Sequence, residues 1–138
     1  MSNLNIHDFC KDTAKILLIL YKHFPQRITL YVEDISGPDQ PDEFGLHSPR
    51  FLATFHTLLW LAETDYLRFS QTVKQEALEN VTLSHRAFVF LSGGDPSPQD
   101  GKTSPPRIEV LRTSLNTESS ETLKQRVLNY MEQSRHYQ

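Results

Sequence analysis

Six histidines, one cysteine and a run of carboxylates are the residues of this chain best suited to chemistry, and their spacing limits what that chemistry is. His7, His23, His47, His56, His85 and His136 stand apart along the chain. A helix that ligates zinc needs two side chains on one face, as histidines at i and i+4 supply, and no pair has that spacing. His47 follows Asp42 and Glu43 closely. That group, with His56 downstream, reads as a chance neighbourhood rather than a metal centre. Glu33, Asp34, Asp39, Asp42 and Glu43 share residues 33–47 with no Lys or Arg. Their spacing is not that of a calcium loop, so they read as a solvated acidic loop. Cys10 falls on the apolar stripe of the first helical segment, whereas a reactive thiol needs an exposed, electropositive setting. It reads as a small core residue. Gly93-Gly94 follows no strand and opens no helix, which leaves a helix stop and excludes a phosphate loop. No catalytic, cofactor-binding or metal-ligating residue is assigned, and a non-enzymatic role is expected.

The elements that position these residues follow from periodicity and punctuation. Asn5 is placed to cap a first helix, with Asp8 near its positive end. Ile6, Phe9, Cys10, Ala14, Leu17, Leu20, Tyr21 and Phe24 keep helical spacing, and Ile16, Leu18 and Ile19 widen the stripe. Pro25 ends that helix. Ile28, Leu30 and Val32 alternate with Thr29, Tyr31 and Glu33 as in a short strand. Residues 34–49, with Gly37, Pro38, Pro41, Gly45 and Pro49, read as an irregular loop. Ser48-Pro49 opens a very apolar helix reaching Thr64. Tyr66 to Phe69 reads as a strand. Residues 70–82 carry a conflict: a hairpin would make a wing, yet Thr72-Val73-Lys74-Gln75 matches a capping box and helix formers follow. A distorted wing containing a helical turn is the favoured reading. Ser84 caps a helix to about Leu91.

Composition fits one soluble globular domain: 138 residues, 38% hydrophobic and 22% charged. The apolar run Ile16 to Leu20 is far short of the roughly 20 residues that span a bilayer. No secretory leader is read at the N-terminus, and a single cysteine allows no internal disulfide. The net charge is −3, and no segment has the one-sided basic character of a nucleic-acid binder. Residues 92–106 read as a flexible linker by composition. In the tail, Ile108, Leu111 and Leu115 mark one helical segment. Ser119 or Ser120 caps another, with a stripe of Leu123, Val127, Tyr130 and Met131 that must dock on the domain or on a second subunit.

Leu58, Leu61, Glu63, Asp65, Tyr66 and Leu67 form a helix ending of pattern L-x-x-L-x-E-x-(G/D)-Y-L, and Val81-Thr82-Leu83-Ser84 then opens another helix. Together they resemble the second half of a winged-helix domain, as in MarR- and PadR-like regulators and a group of bacterial winged-helix proteins. The resemblance spans about residues 6–91. It implies an α+β, mostly α fold: a winged-helix-like three-helix core with a small β-sheet and wing, plus the C-terminal helical tail. The division is then 1–91 for the domain, 92–106 for the linker and 107–138 for the tail. A cytoplasmic, bacterial setting is expected.

Two functions compete. In the resembled family the helix from 48 to 64 would read DNA, through Arg50, Thr54, His56 and Thr57, with Arg68 and Lys74 near phosphates. Against this, the helix expected before it is replaced by the acidic loop Glu33 to Glu43, and the helix itself offers one Arg and no Lys. The favoured reading is protein contact, most simply a homodimer, through Phe51, Leu52, Trp60, Leu123, Val127 and Tyr130. DNA binding is the alternative. No membrane partner and no cofactor are expected.

Overall fold

The first apolar stripe becomes α1 (Leu4–His23), the element around which the rest assembles; a computed structural model describes residues 4–95 and 104–136. The helix includes Asn5, so Asn5 is not its cap. Two adjoining stripes are buried, one through Cys10, Thr13, Ala14 and Leu17 and one through Asp12, Ile16 and Leu20. They are needed because α1 meets neighbours on several sides. β1 (Ile28–Tyr31) follows, and then a correction to the predicted loop: Val32–Ser36 is a helical turn, α2. Val32 and Ile35, three apart, are its buried contacts, and Glu33 and Asp34 sit at its positive end. One turn is too short for periodicity to register. Gly37, at φ 92°, ends it.

α3 (Pro49–Glu63) starts as the sequence predicts, with the Ser48 hydroxyl accepting from the Phe51 N–H at 3.2 Å and Pro49 in the first turn. Its end explains the G/D alternation in the motif. The N–H of Tyr66 bonds the Leu61 carbonyl at 2.8 Å and that of Asp65 the Ala62 carbonyl at 3.2 Å, the two bonds of a Schellman ending. The geometry needs a left-handed residue, and Asp65 supplies it at φ 64°. Asp65→Gly is expected to hold or raise stability by up to about 1 kcal/mol, and Asp65→Val to lower it by about 1–2 kcal/mol. Urea midpoints ordered Gly, Asp, Val check this, and a Val variant as stable as the parent refutes it.

Residues 70–82 resolve as a hairpin. β2 (Leu67–Arg68) and β3 (Gln71–Val73) lie along one edge of β4 (Ala77–Leu83), and β1 lies along the other. All pairings are antiparallel: Leu30 faces Leu78, Thr72 faces Leu78 from the other side, and Leu67 faces Leu83. The capping-box residue Thr72 is thus a strand residue, and the helix formers Lys74 to Glu76 make a tight turn closed by Glu76 N–H to Val73 carbonyl at 3.0 Å. Tertiary pairing overrides local propensity here, because β4 buries Leu78, Val81 and Leu83 and its backbone is satisfied on both edges. Asn80, at φ 56°, sits where the register against β1 shifts.

Ser84 caps α4 (His85–Ser92) and donates to the Asp65 carbonyl at 2.7 Å, tying the two ends of the motif together. Gly93 then stops that helix. Of the predicted linker, residues 96–103 lie outside the described residues. On its described flanks Gly94 bridges to Pro106, and Arg107 places its guanidinium over the Phe90 ring at 4.1 Å. α5 (Arg107–Thr117) and α6 (Ser120–Ser134, capped by Ser119) dock on α1. Ile108, Leu111, Leu123, Val127 and Tyr130 join the same core as Cys10, Leu17 and Leu58. Arg86 fastens the far end of α6 by donating to the carbonyls of Ser134 and Thr64, both at 2.7 Å, with its guanidinium against the Tyr66 ring. The architecture is α+β, with six helices among the described residues and a four-stranded antiparallel sheet. No described helix is long and apolar enough to cross a membrane.

Candidate interaction site

α3 carries most of the predicted functional residues, and its orientation sorts them. Its inner side buries Phe51, Thr54, Phe55, Leu58 and Leu61. Arg50 also turns inward: its two terminal nitrogens reach Asp12 on α1 at 2.7 and 2.6 Å. The Thr54 hydroxyl donates to Asp12 at 2.8 Å and accepts from Arg50 at 2.8 Å. Asp12 is fully buried, so both its oxygens are satisfied by this network. The bonds to Asp12 raise the pKa of Arg50, while burial lowers that of the neighbouring Lys15, which donates to the Ile35 carbonyl at the end of α2. Thr57 is buried too and donates back to the Ala53 carbonyl at 2.9 Å. Thr54 and Thr57 are therefore buried, and Arg50, one-third exposed, holds its guanidinium on Asp12. A short polar side chain on a helix can bond its own backbone, and an arginine next to a buried carboxylate stays with it.

His56, Arg68 and Lys74 do face outward. Arg68 lies 3.5 Å from Asp65, and Lys74 shares the hairpin with the exposed Glu76.

The predicted interface set divides as well. Phe51, Leu123, Val127 and Tyr130 are buried in the chain's own core, because the tail docks on the domain and covers its stripe. Tyr130 packs edge-on to Phe90, and its hydroxyl finds no partner among the described residues. Leu52 is half-buried. Trp60 remains 40% exposed, its indole edge-on to Phe9 with ring centroids 5.2 Å apart and roughly parallel to Tyr66.

The acidic loop holds residues that the sequence reading missed. Phe44 is 78% exposed and Leu46 63% exposed. They are set on a turn in which the Asp42 carboxylate accepts from the N–H groups of both, at 2.8 and 2.9 Å. His47 pairs not with Asp42 or Glu43 but with Asp39, at 2.9 Å, and lies 3.6 Å from Glu76 in the hairpin turn. Its ring stacks on Phe51 at 4.0 Å. Ser48 above all, and then His47, hold the Asp39 carboxyl below the usual carboxylate range. A cavity of about 330 Å³ opens between this clasp, Tyr31 and Glu33. Two apolar residues inside a Pro- and Gly-rich acidic segment were the available signal for the turn. Nothing local indicated Glu76 as a partner of His47, since the contact depends on the hairpin.

Among the described residues the large apolar side chains left exposed are Leu4, Tyr31, Phe44, Leu46, Trp60, Val73 and Leu128, and two of these places bear on the predicted site. One is the outer side of α3 at Trp60, with no cation, and the other is the Phe44–Leu46 turn among carboxylates. Among the described residues no group of three or more His, Cys, Asp or Glu side chains is placed to hold a metal ion. Compared with known proteins, the chain matches no family model, no curated protein and no solved structure.

Proposed function

We propose that this chain is a cytoplasmic, non-catalytic protein-contact module on a winged-helix-like scaffold, working as a homodimer rather than as a reader of DNA. The order of elements supports the scaffold: helix, strand, short helix, long helix, hairpin and helix, with β3 and β4 in the place of a wing. One observation carries the choice of function. The helix in the reading position commits its only guanidinium to Asp12 and presents an outer side without a cation. Phosphate neutralisation supplies much of the affinity of a DNA reader, and this surface offers little of it. An exposed Trp mounted on a rigid helix is instead the kind of residue that dominates protein contacts.

Two measurements on the full chain test the reading. Sedimentation equilibrium across the micromolar range is expected to give twice the 16.0 kDa chain mass. A gel-shift titration on mixed-sequence duplex DNA at low salt is expected to give no retarded band. A monomer mass throughout, or a salt-sensitive band abolished by Arg68→Ala with Lys74→Ala, overturns it.

A further inference from the structure

We infer that the Phe44–Leu46 turn, the cavity beside it and the outer row of the sheet form one face that takes a basic, apolar segment of a partner protein, a contact separate from the homodimer. Four of the seven large apolar side chains left exposed among the described residues belong to these parts: Tyr31, Phe44, Leu46 and Val73. Ala77 lies opposite Tyr31 on one side and Val73 on the other, so the three make one row across the sheet. Tyr31 also lines the cavity of about 330 Å³, as do Pro41 and His47, the residues on either side of the turn. The row, the cavity and the turn are thereby joined. The turn itself is held in shape. Its Asp42 carboxylate accepts from the N–H groups of Phe44 and Leu46, the Asp42 N–H donates to the Leu46 carbonyl at 2.9 Å, and the Gly45 N–H donates to the Asp42 carbonyl at 2.9 Å. Gly45, at φ 78°, allows the reversal. Apolar side chains on a turn already fixed lose little conformational freedom when a partner covers them.

Charge selects the partner. Residues 31–47 hold five carboxylates and no Lys or Arg, and the hairpin turn adds Glu76 against Lys74. The cavity is lined by Glu33, Asp39 and Glu76 together with the aromatic residues Tyr31 and Phe51, and by no Lys or Arg. The Glu33 carboxylate is left without a hydrogen bond or ion pair among the described residues. An ammonium or guanidinium group entering the cavity meets carboxylates and aromatic rings, both of which attract a cation. Apolar side chains on either side of that cation then pack on the turn and on the Tyr31–Val73 row. The same charge repels nucleic acid and anionic lipid. It also disfavours a second copy of this chain, because a two-fold contact here would bring Asp42 and Glu43 against their own copies.

The probe is a fluorescein-labelled amphipathic helical peptide of Leu and Lys, titrated with the full chain beside its Leu–Glu counterpart and an all-Lys peptide of the same length. The Leu–Lys peptide is expected to bind and the Leu–Glu peptide is not. Phe44→Ser with Leu46→Ser, at exposed positions that ask nothing of the core, is expected to weaken binding at least about 10-fold. Glu33→Gln with Glu76→Gln is expected to weaken it at least about 3-fold and to flatten its dependence on salt. Sedimentation equilibrium of the Phe44→Ser, Leu46→Ser variant is expected to give the parent's mass, which separates this contact from the homodimer. Circular dichroism checks that each variant is folded. The inference is overturned by a Leu–Lys peptide that fails to bind, by binding that either pair of changes leaves intact, or by a Leu–Glu or all-Lys peptide that binds as tightly. Loss of a dimer in the Phe44→Ser, Leu46→Ser variant overturns it too, by assigning the turn to a second copy.

Discussion

Arg50→Met is expected to cost the fold about 3 kcal/mol at neutral pH, more than the double replacement Asp12→Leu with Arg50→Met costs. The single change strands the Asp12 carboxylate, 1% exposed, with the Thr54 hydroxyl as its remaining side-chain hydrogen-bond donor among the described residues. It also removes the cation that separates Asp12 from Asp8, one turn earlier on α1 and 3.8 Å from the guanidinium. Arg50 is itself one-third exposed, so its own desolvation is partial and the loss belongs at the lower end of values for broken buried pairs. The double variant replaces the polar network with apolar volume and leaves no orphaned charge. Urea titrations with a constant slope measure both. A single variant no less stable than the double would mean that the network is a bystander, and that Arg50 is free to turn outward after all.

Truncation after Ser92 is expected to abolish cooperative unfolding of the remainder. Ile108, Leu111, Leu123, Val127 and Tyr130 are all at least nine-tenths buried in the common core. At about 2 kcal/mol for each large apolar side chain, their loss is worth about 10 kcal/mol, comparable with the whole stability of a typical domain. Cys10 provides the readout. Its thiol lies 3.9 Å from the Lys124 carbonyl on α6, and burial pushes its pKa up to about 11. In the full chain it is expected to react with a disulfide reagent only on global unfolding, and in the truncated chain at the rate of an unfolded peptide. A truncated chain that melts cooperatively with a protected thiol would show that residues 1–92 are sufficient. Arg86→Ala, which releases the far end of α6 from Thr64 and Tyr66, should lie between the two.

Local chemistry was legible wherever one residue type performs one backbone task. Ser48, Ser84 and Ser119 accept from the N–H three residues on and start their helices, the first two where the sequence placed them and the third at one of the two serines it offered. Pro49 tightens the first of these starts, and Gly93 ends α4. The left-handed conformation of Asp65, at φ 64°, came only with the structure, although its place in the motif was marked. The apolar stripes of α1 and α6 were readable from spacing, as was their need for cover. What covered α6 was not: a stripe records that it must be buried and says nothing of the partner.

The sequence by itself therefore determined most helix boundaries, the α+β class and the acidity of the loop, because those depend on neighbours a few residues away. Only the tertiary structure decided the rest. It chose strand over helix for Gln71–Val73, since β4 offers a ladder that an isolated helical turn cannot match. It turned Arg50 and Thr54 toward Asp12, 38 and 42 residues away, and so emptied the outer side of α3 of cations. It laid the tail on α1, which moved Leu123, Val127 and Tyr130 from candidate interface to core, while Trp60 stays partly exposed. Each of these outcomes is a competition for burial or for a buried charge, and such competitions are settled by residues distant in the chain.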